Sequence, residues 1–169
     1  MKSSEDFLED LKIIEQIAIT RDYPPIDLYF LGGSGCILGN YLDRLTHDVD
    51  IINLDYPSKY GTLFRLFGEY DMLDIKNTSV PPSYGNRCKV IPGFSRIKPY
   101  VLSREDIIVS KIIRLAEKDI EDIRNLIPNS DISLVNDLIN EVLTNPDMLD
   151  SALARFKQKI PEFRRIFNV

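Results

Sequence analysis

The stretch 28–52, LYFLGGSGCILGNYLDRLTHDVDII, constrains the fold more than any other part of the chain. An apolar, strand-like run through Leu28, Phe30 and Leu31 enters Gly32-Gly33-Ser34, and after a short helical segment the chain returns at Asp48-Val49-Asp50. The glycines fall where the backbone must turn sharply, and their bare amides can face an anion. A helix starting at 33–35 would aim its unpaired N–H groups and positive dipole end at that anion, with Ser34 as a further hydroxyl donor. Residues 36–42 carry apolar side chains at roughly helical spacing, with room for about two turns. From Asp48 the period changes to two, placing Asp48 and Asp50 on one face of a strand and Val49 and Ile51 on the other. Such paired carboxylates repel unless a cation sits between them. They suit Mg²⁺ or Mn²⁺, hard cations that bind through one or two carboxylates plus the phosphates of a substrate. The stretch therefore reads as a metal-dependent phosphate-handling site.

Three elements in order, Leu31-Gly32-Gly33-Ser34, Arg44-Leu45-Thr46 and Asp48-Val49-Asp50-Ile51, resemble the pattern of the nucleotidyltransferase superfamily. Its members include DNA polymerase beta-like enzymes and the AbiEii-type toxins of toxin–antitoxin systems, and the likeness to the latter spans about 28–126. The resemblance implies a nucleotide-binding set of Gly32, Gly33, Ser34, Arg44, Thr46 and Lys111, with metal held by Asp48 and Asp50. It implies a nucleoside triphosphate as substrate, and an RNA end such as that of tRNA, or a protein hydroxyl, as acceptor. A cognate antitoxin is the partner it suggests.

A second stretch supports the same family. Ser103-Arg104-Glu105-Asp106 has a capping-box-like start and opens an amphipathic run through Ala116, which predicts a long core-facing helix. AbiEii-like members carry a similar helix, with a lysine followed by an Asp-containing segment; here these are Lys111 and Lys118-Asp119-Ile120-Glu121-Asp122. By resemblance Lys111 neutralises triphosphate charge, and the later aspartate, Asp119, supports catalysis or orients that lysine. Spacing alone shows less: in a continuous helix Lys111, Lys118 and Asp122 share one stripe, Asp119 lies off it, and Asp119 could instead cap a new helix.

Further candidates are Asp71 and Asp74 for a third carboxylate, with Asp74 fitting the strand alternation better, and Arg87 for a phosphate. Each has a plain structural reading as well: turn, edge or surface. His47 is the one histidine, so a mechanism needing two is excluded. Cys36 and Cys88 have neither metal-like nor redox-motif spacing and read as free thiols of a reducing compartment.

With 169 residues, 44% of them apolar, the chain can bury one compact core. No apolar run approaches the roughly 20 residues of a membrane span, and residues 1–6 lack a signal-peptide core. The cytoplasm is the expected location, with no membrane partner. The net charge of −5 gives no global attraction to nucleic acid. It is unevenly placed: 151–169 carries five basic residues against Glu162 alone, net +4, leaving −9 elsewhere.

Periodicity predicts helices near 4–20, 58–69, 104–117, 119–127, 131–143 and 147–158, with strands near 27–31, 48–54, 71–76, 87–91 and 96–101. Pro128, Pro146 and Pro161 read as punctuation. The expected class is α/β (α+β): a small mixed sheet with flanking helices, formed by 1–102, and a mostly helical part, 103–169, packed on it as one compact domain. Two other functions fit less of the sequence. Gly33-x-Gly35-x-x-x-Gly39 with Asp55 resembles a dinucleotide-binding turn but leaves Asp48 and Asp50 unexplained. A non-catalytic, nucleotidyltransferase-like binding module is the other.

Overall fold

The computed structural model describes residues 1–169. They form two compact units, Met1–Leu73 with Cys88–Leu102, and Asp74–Arg87 with Ser103–Val169. The expected boundary near 102 is present, but 74–87 groups with the helices rather than with the sheet.

In the first unit, helix α1 (Ser4–Thr20) starts where the Ser3 hydroxyl accepts from the Asp6 amide while the Asp6 carboxylate accepts from the Ser3 amide. This reciprocal cap satisfies two otherwise orphaned donors. The stripe Phe7, Leu11, Ile14 and Ala18 is buried. It packs with Leu28 and Phe30 of β1 (Ile26–Leu31), Val49 and Ile51 of β2 (Val49–Ile52), and Ile97 and Val101 of β5 (Ile97–Val101). Tyr60, Leu63 and Phe64 of α3 (Ser58–Phe64), with Phe67 in the following 3₁₀ turn, complete that core. Full burial of each such side chain contributes about 1.5–3 kcal/mol.

The five-stranded sheet has the order β3-β2-β1-β5-β4, with β3 at Tyr70–Leu73 and β4 at Lys89–Val90. β1 runs parallel to β5 and antiparallel to β2, while β2 and β3 are parallel. The expected strand 71–76 stops at Leu73, because the Asp74 carboxylate accepts from the Lys76 amide and opens a 3₁₀ turn.

Glu15 interrupts the apolar stripe of α1 yet is itself buried. Its carboxylate accepts from the Ser95, Arg96 and Ile97 amides at 2.6, 3.0 and 2.9 Å, and from the Ser95 hydroxyl at 2.8 Å. Burial alone would raise its pKa, but the amides of Ile97 and Ser95 outweigh burial and hold it below the usual carboxylate value. On acidification the unfolded chain therefore takes up this proton first, so the stabilisation is present above the ordinary glutamate range and lost below it. Glu15→Gln is expected to cost about 1.5–3 kcal/mol at pH 7. Urea midpoints of the two proteins should converge as pH falls below about 4.3, the unperturbed glutamate value; a gap that widens in acid would refute the role.

In the second unit, α4 (Arg104–Ile112) is capped by the Ser103 hydroxyl, which accepts from the Asp106 amide. It is shorter than the expected 104–117. Leu115, with φ 47°, turns the chain, and α5 (Glu117–Leu126) starts afresh as the Asp119 carboxylate accepts from the Ala116 amide at 3.1 Å. The two helices are thus not continuous. α6 (Ile132–Leu143) is capped by Asp131, and α4 packs against α5, α6 and α7 (Asp150–Phe167).

Pro161 lies inside α7 rather than ending it. Its missing N–H removes one helical bond, but Ala152 and Phe156 before it and Phe163 after it are all buried on one side, and that packing carries the helix through. The 74–87 segment is tied to this unit by named bonds. The Leu149 amide donates to Lys76 O, the Ser79 hydroxyl to Val109 O, and the Ser83 amide and hydroxyl to the Glu141 carboxylate.

Candidate functional site

β1 delivers the chain to Gly32, whose φ of +59° is left-handed and strained for any residue with a Cβ. A second constraint acts at the same atom. A Cβ on Gly32 would stand 1.9 Å from Asp50 Oδ2, so the aspartate carboxylate rests directly against the turn. At Gly33 a Cβ would lie 2.6 Å from Thr46 Oγ1 and 3.3 Å from the Arg44 guanidinium. The main chain of the double glycine is thereby enclosed by Asp50 on one side and by Thr46 and Arg44 on the other.

Ser34 has a different task from the phosphate donor expected of it. It is fully buried at the start of α2 (Gly32–Leu38); its hydroxyl donates to Leu31 O at 3.0 Å and accepts from the Asp50 amide at 3.1 Å. The serine thus fixes the backbone of Asp50 to the end of β1. Thr46 is held from the N-terminus, where Lys2 pairs with it as an antiparallel bridge through both amides, at 2.7 and 3.1 Å. Lys2 is itself paired with Asp10.

Asp48 immediately precedes β2, and Asp50 lies within it, in register with Leu31 on one side and Asp71 on the other. Parallel register neighbours project from the same face, so Asp71 stands beside Asp50 across the strand pair. Asp74, the better fit to alternation in the sequence, lies beyond the strand end and caps a turn. An open recess of about 400 Å³ is lined by Asp48, Gly68, Glu69, Tyr70 and Asp71. Glu69 was missed by sequence reasoning, and its only signal is its place just before the apolar alternation of β3.

The donor set fits a divalent cation by its chemistry: hard carboxylate oxygens from Asp48 and Asp50, with Asp71 in register and a glycine where a side chain would displace Asp50. No three His, Cys, Asp or Glu side chains form a complete cage. Two protein carboxylates plus substrate phosphates is the usual way Mg²⁺ is held.

Lys111, Asp119 and Asp122 come together within the second unit. Lys111 is 7% exposed, and its ammonium lies 3.3 Å from Asp119 and 2.9 Å from Asp122. Asp119 also receives Arg114 Nε and Nη2, both at 2.6 Å. Burial works to raise the Asp119 pKa, yet the Arg114 bonds and the Lys111 charge prevail and hold it below the usual range. Arg87, a phosphate candidate in the sequence, makes a bidentate pair with the fully buried Asp106 at 2.7 and 3.0 Å. Burial keeps the Asp106 pKa raised despite that arginine. Arg87 Nη1 also donates to the Ser83 hydroxyl, so this side chain fastens 74–87 to α4.

A strand running into a glycine turn and short helix, followed by Asp-x-Asp at the entry to a second strand in a mixed sheet flanked by helices, is an α+β nucleotidyltransferase fold. A family model described as "Nucleotidyltransferase of unknown function (DUF6036)" matches residues 9–164, and the chain belongs to that family. No curated protein and no solved structure matches the chain.

Proposed function

We propose that the protein transfers a nucleotidyl group from a nucleoside triphosphate, ATP among them, to a hydroxyl of an RNA end of tRNA type or of a protein. The observation that carries this reading is the contact between the Asp50 carboxylate and the backbone of Gly32. It sets a carboxylate oxygen, the kind of donor a divalent cation takes, against a glycine turn whose left-handed φ only glycine adopts freely, an arrangement that a tight hairpin does not require.

In this reading Gly32 and Gly33 present backbone N–H groups to the β- and γ-phosphates, and Arg44 and Thr46 close the same turn. Ser34 positions Asp50. Asp48 and Asp50 would hold Mg²⁺ or Mn²⁺, which when bound neutralises the α-phosphate and lowers the pKa of an incoming hydroxyl. The acceptor hydroxyl gives up its proton to solvent as its oxygen bonds to the α-phosphorus, the bond from that phosphorus to the bridging oxygen breaks, and pyrophosphate leaves. Lys111 would balance charge on the triphosphate, and its ion pairs to Asp119 and Asp122 support the second of the two roles the resemblance implies for the later aspartate, orienting that lysine. The resemblance to AbiEii-type toxins makes a toxin of a toxin–antitoxin system the proposed role and a cognate antitoxin the proposed partner, both in the cytoplasm.

The test is incubation of the wild type and the Asp48→Asn/Asp50→Asn variant with each α-³²P-labelled triphosphate, Mg²⁺, and cellular RNA plus protein, resolved on gels. Transfer by the wild type alone is expected, with loss of at least about 10³-fold in the variant, the scale of electrostatic contributions to such chemistry. Comparable labelling by the variant would refute the assignment. Absence of transfer together with absence of metal-dependent triphosphate binding would favour the binding-module alternative.

A further inference from the structure

One helix of this acidic chain carries a local excess of positive charge. α7 carries Arg155, Lys157, Lys159, Arg164 and Arg165 against Asp150 and Glu162. Its buried side chains Ala152, Phe156 and Phe163 mark the inward face. Lys157, Arg164 and Arg165, at spacings of seven and eight residues, share the opposite side, and all three are exposed. Arg155, also exposed, flanks this stripe.

Internal needs leave much of that charge unexplained. Lys159 is paired with Glu162 at 3.1 Å, and Arg155 donates to the neutral Asn77 amide oxygen at 2.9 Å. Lys157, Arg164 and Arg165 make no ion pair with a carboxylate. Interaction with the helix dipole is confined to the last turn, so it accounts for Arg164 and Arg165 but not for Lys157. Like charges gathered on one exposed face oppose one another unless an anion lies along them.

From Arg155 to Arg165 the helix rises about 15 Å, and its four exposed basic side chains, Arg155, Lys157, Arg164 and Arg165, offer about three to four phosphate contacts along that length. We infer that the outward face of α7 is a docking surface for the phosphate backbone of single-stranded RNA. The inference rests on the nucleotidyl-transfer reading and deepens it, by choosing RNA over protein as the acceptor.

The experiment uses the full-length protein and a fluorescein-labelled 12-nucleotide oligouridine, in EDTA and without triphosphate, with anisotropy followed from 50 to 200 mM salt. The wild type should bind with a log K against log salt slope of about −2 to −3, as three to four phosphate contacts on a single strand give. Lys157→Gln/Arg164→Gln/Arg165→Gln should bind at least about tenfold more weakly at 50 mM salt, with the slope reduced by about 2. Its thermal unfolding and triphosphate binding should match the wild type. Lys157→Arg/Arg164→Lys/Arg165→Lys should retain binding, as should Lys12→Gln/Lys98→Gln, which removes exposed charge elsewhere.

Failure of the wild type to bind, equal binding by the glutamine variant, or equal loss on removing Lys12 and Lys98 would each overturn the inference. So would displacement of the RNA only by an acidic polypeptide of equal charge, which would assign α7 to a protein partner. Because binding is read without chemistry, loss of nucleotidyl transfer with this binding intact would instead fault the functional reading.

Discussion

Under the proposed function, Gly32→Ala is expected to reduce nucleotidyl transfer by about 10²-fold or more, the cost of misplacing a reacting group by about 1 Å. Two effects act together. The residue sits at φ +59°, where alanine is strained by roughly 1–2 kcal/mol. Its methyl would also stand 1.9 Å from Asp50 Oδ2, so either the carboxylate or the turn must move. The Asp50 backbone is fixed by its bond to Ser34 and by strand pairing on both sides, which leaves the side chain as the part that gives way. The variant should therefore remain folded, with a modest fall in melting temperature, while losing activity and metal-dependent triphosphate binding. Wild-type rates would show that Asp50 is not held against the turn during the reaction. Gly33→Ala should be milder, since there the obstruction is the Thr46 hydroxyl at 2.6 Å and no positive φ is involved.

The largest effect on stability is expected at Asp119. It is fully buried and shared by Lys111, Arg114 and the Ala116 amide. Asp119→Ala removes one of the two carboxylates that face a lysine 7% exposed and deletes the cap of α5. Breaking one side of a buried pair costs about 3–5 kcal/mol when the remaining charge is left alone, which is the upper bound here because Asp122 still faces the ammonium. Arg114 adds little to this sum, since its side chain is 68% exposed and water can replace the carboxylate. Chemical denaturation would measure the loss, and a value under about 1 kcal/mol would mean that Lys111 is satisfied by Asp122 alone. The pH dependence has the sign of a depressed carboxylate: stabilisation is present above the ordinary aspartate range and is lost as acid protonates Asp119.

Much of the first unit was legible from residue order because its signals are local. The α1 stripe, the period change at Asp48 and the paired glycines each describe a few successive residues, and the structure has the corresponding helix, strand and turn. Element ends were less legible. The expected helix through Ala116 breaks after Ile112 because a carboxylate seven residues later caps the next helix, and α7 passes Pro161 because buried aromatic residues flank it.

By itself, the sequence determined where the chain must turn, which faces are apolar and that Asp48 and Asp50 alternate with anchoring apolar residues; these follow from backbone geometry and period. Tertiary structure decided what those residues touch. It placed Asp71 rather than Asp74 beside Asp50, because register depends on pairing with a strand some twenty residues away. It made Ser34 a brace for Asp50 and Arg87 a clamp on Asp106, because a hydroxyl or guanidinium takes its role from whichever polar group burial leaves beside it. It gathered Lys111, Asp119 and Asp122 across a helix break, where a continuous helix would have left Asp119 aside. Such contacts are set by long-range packing and by the need to pair every buried polar group, which no local spacing encodes.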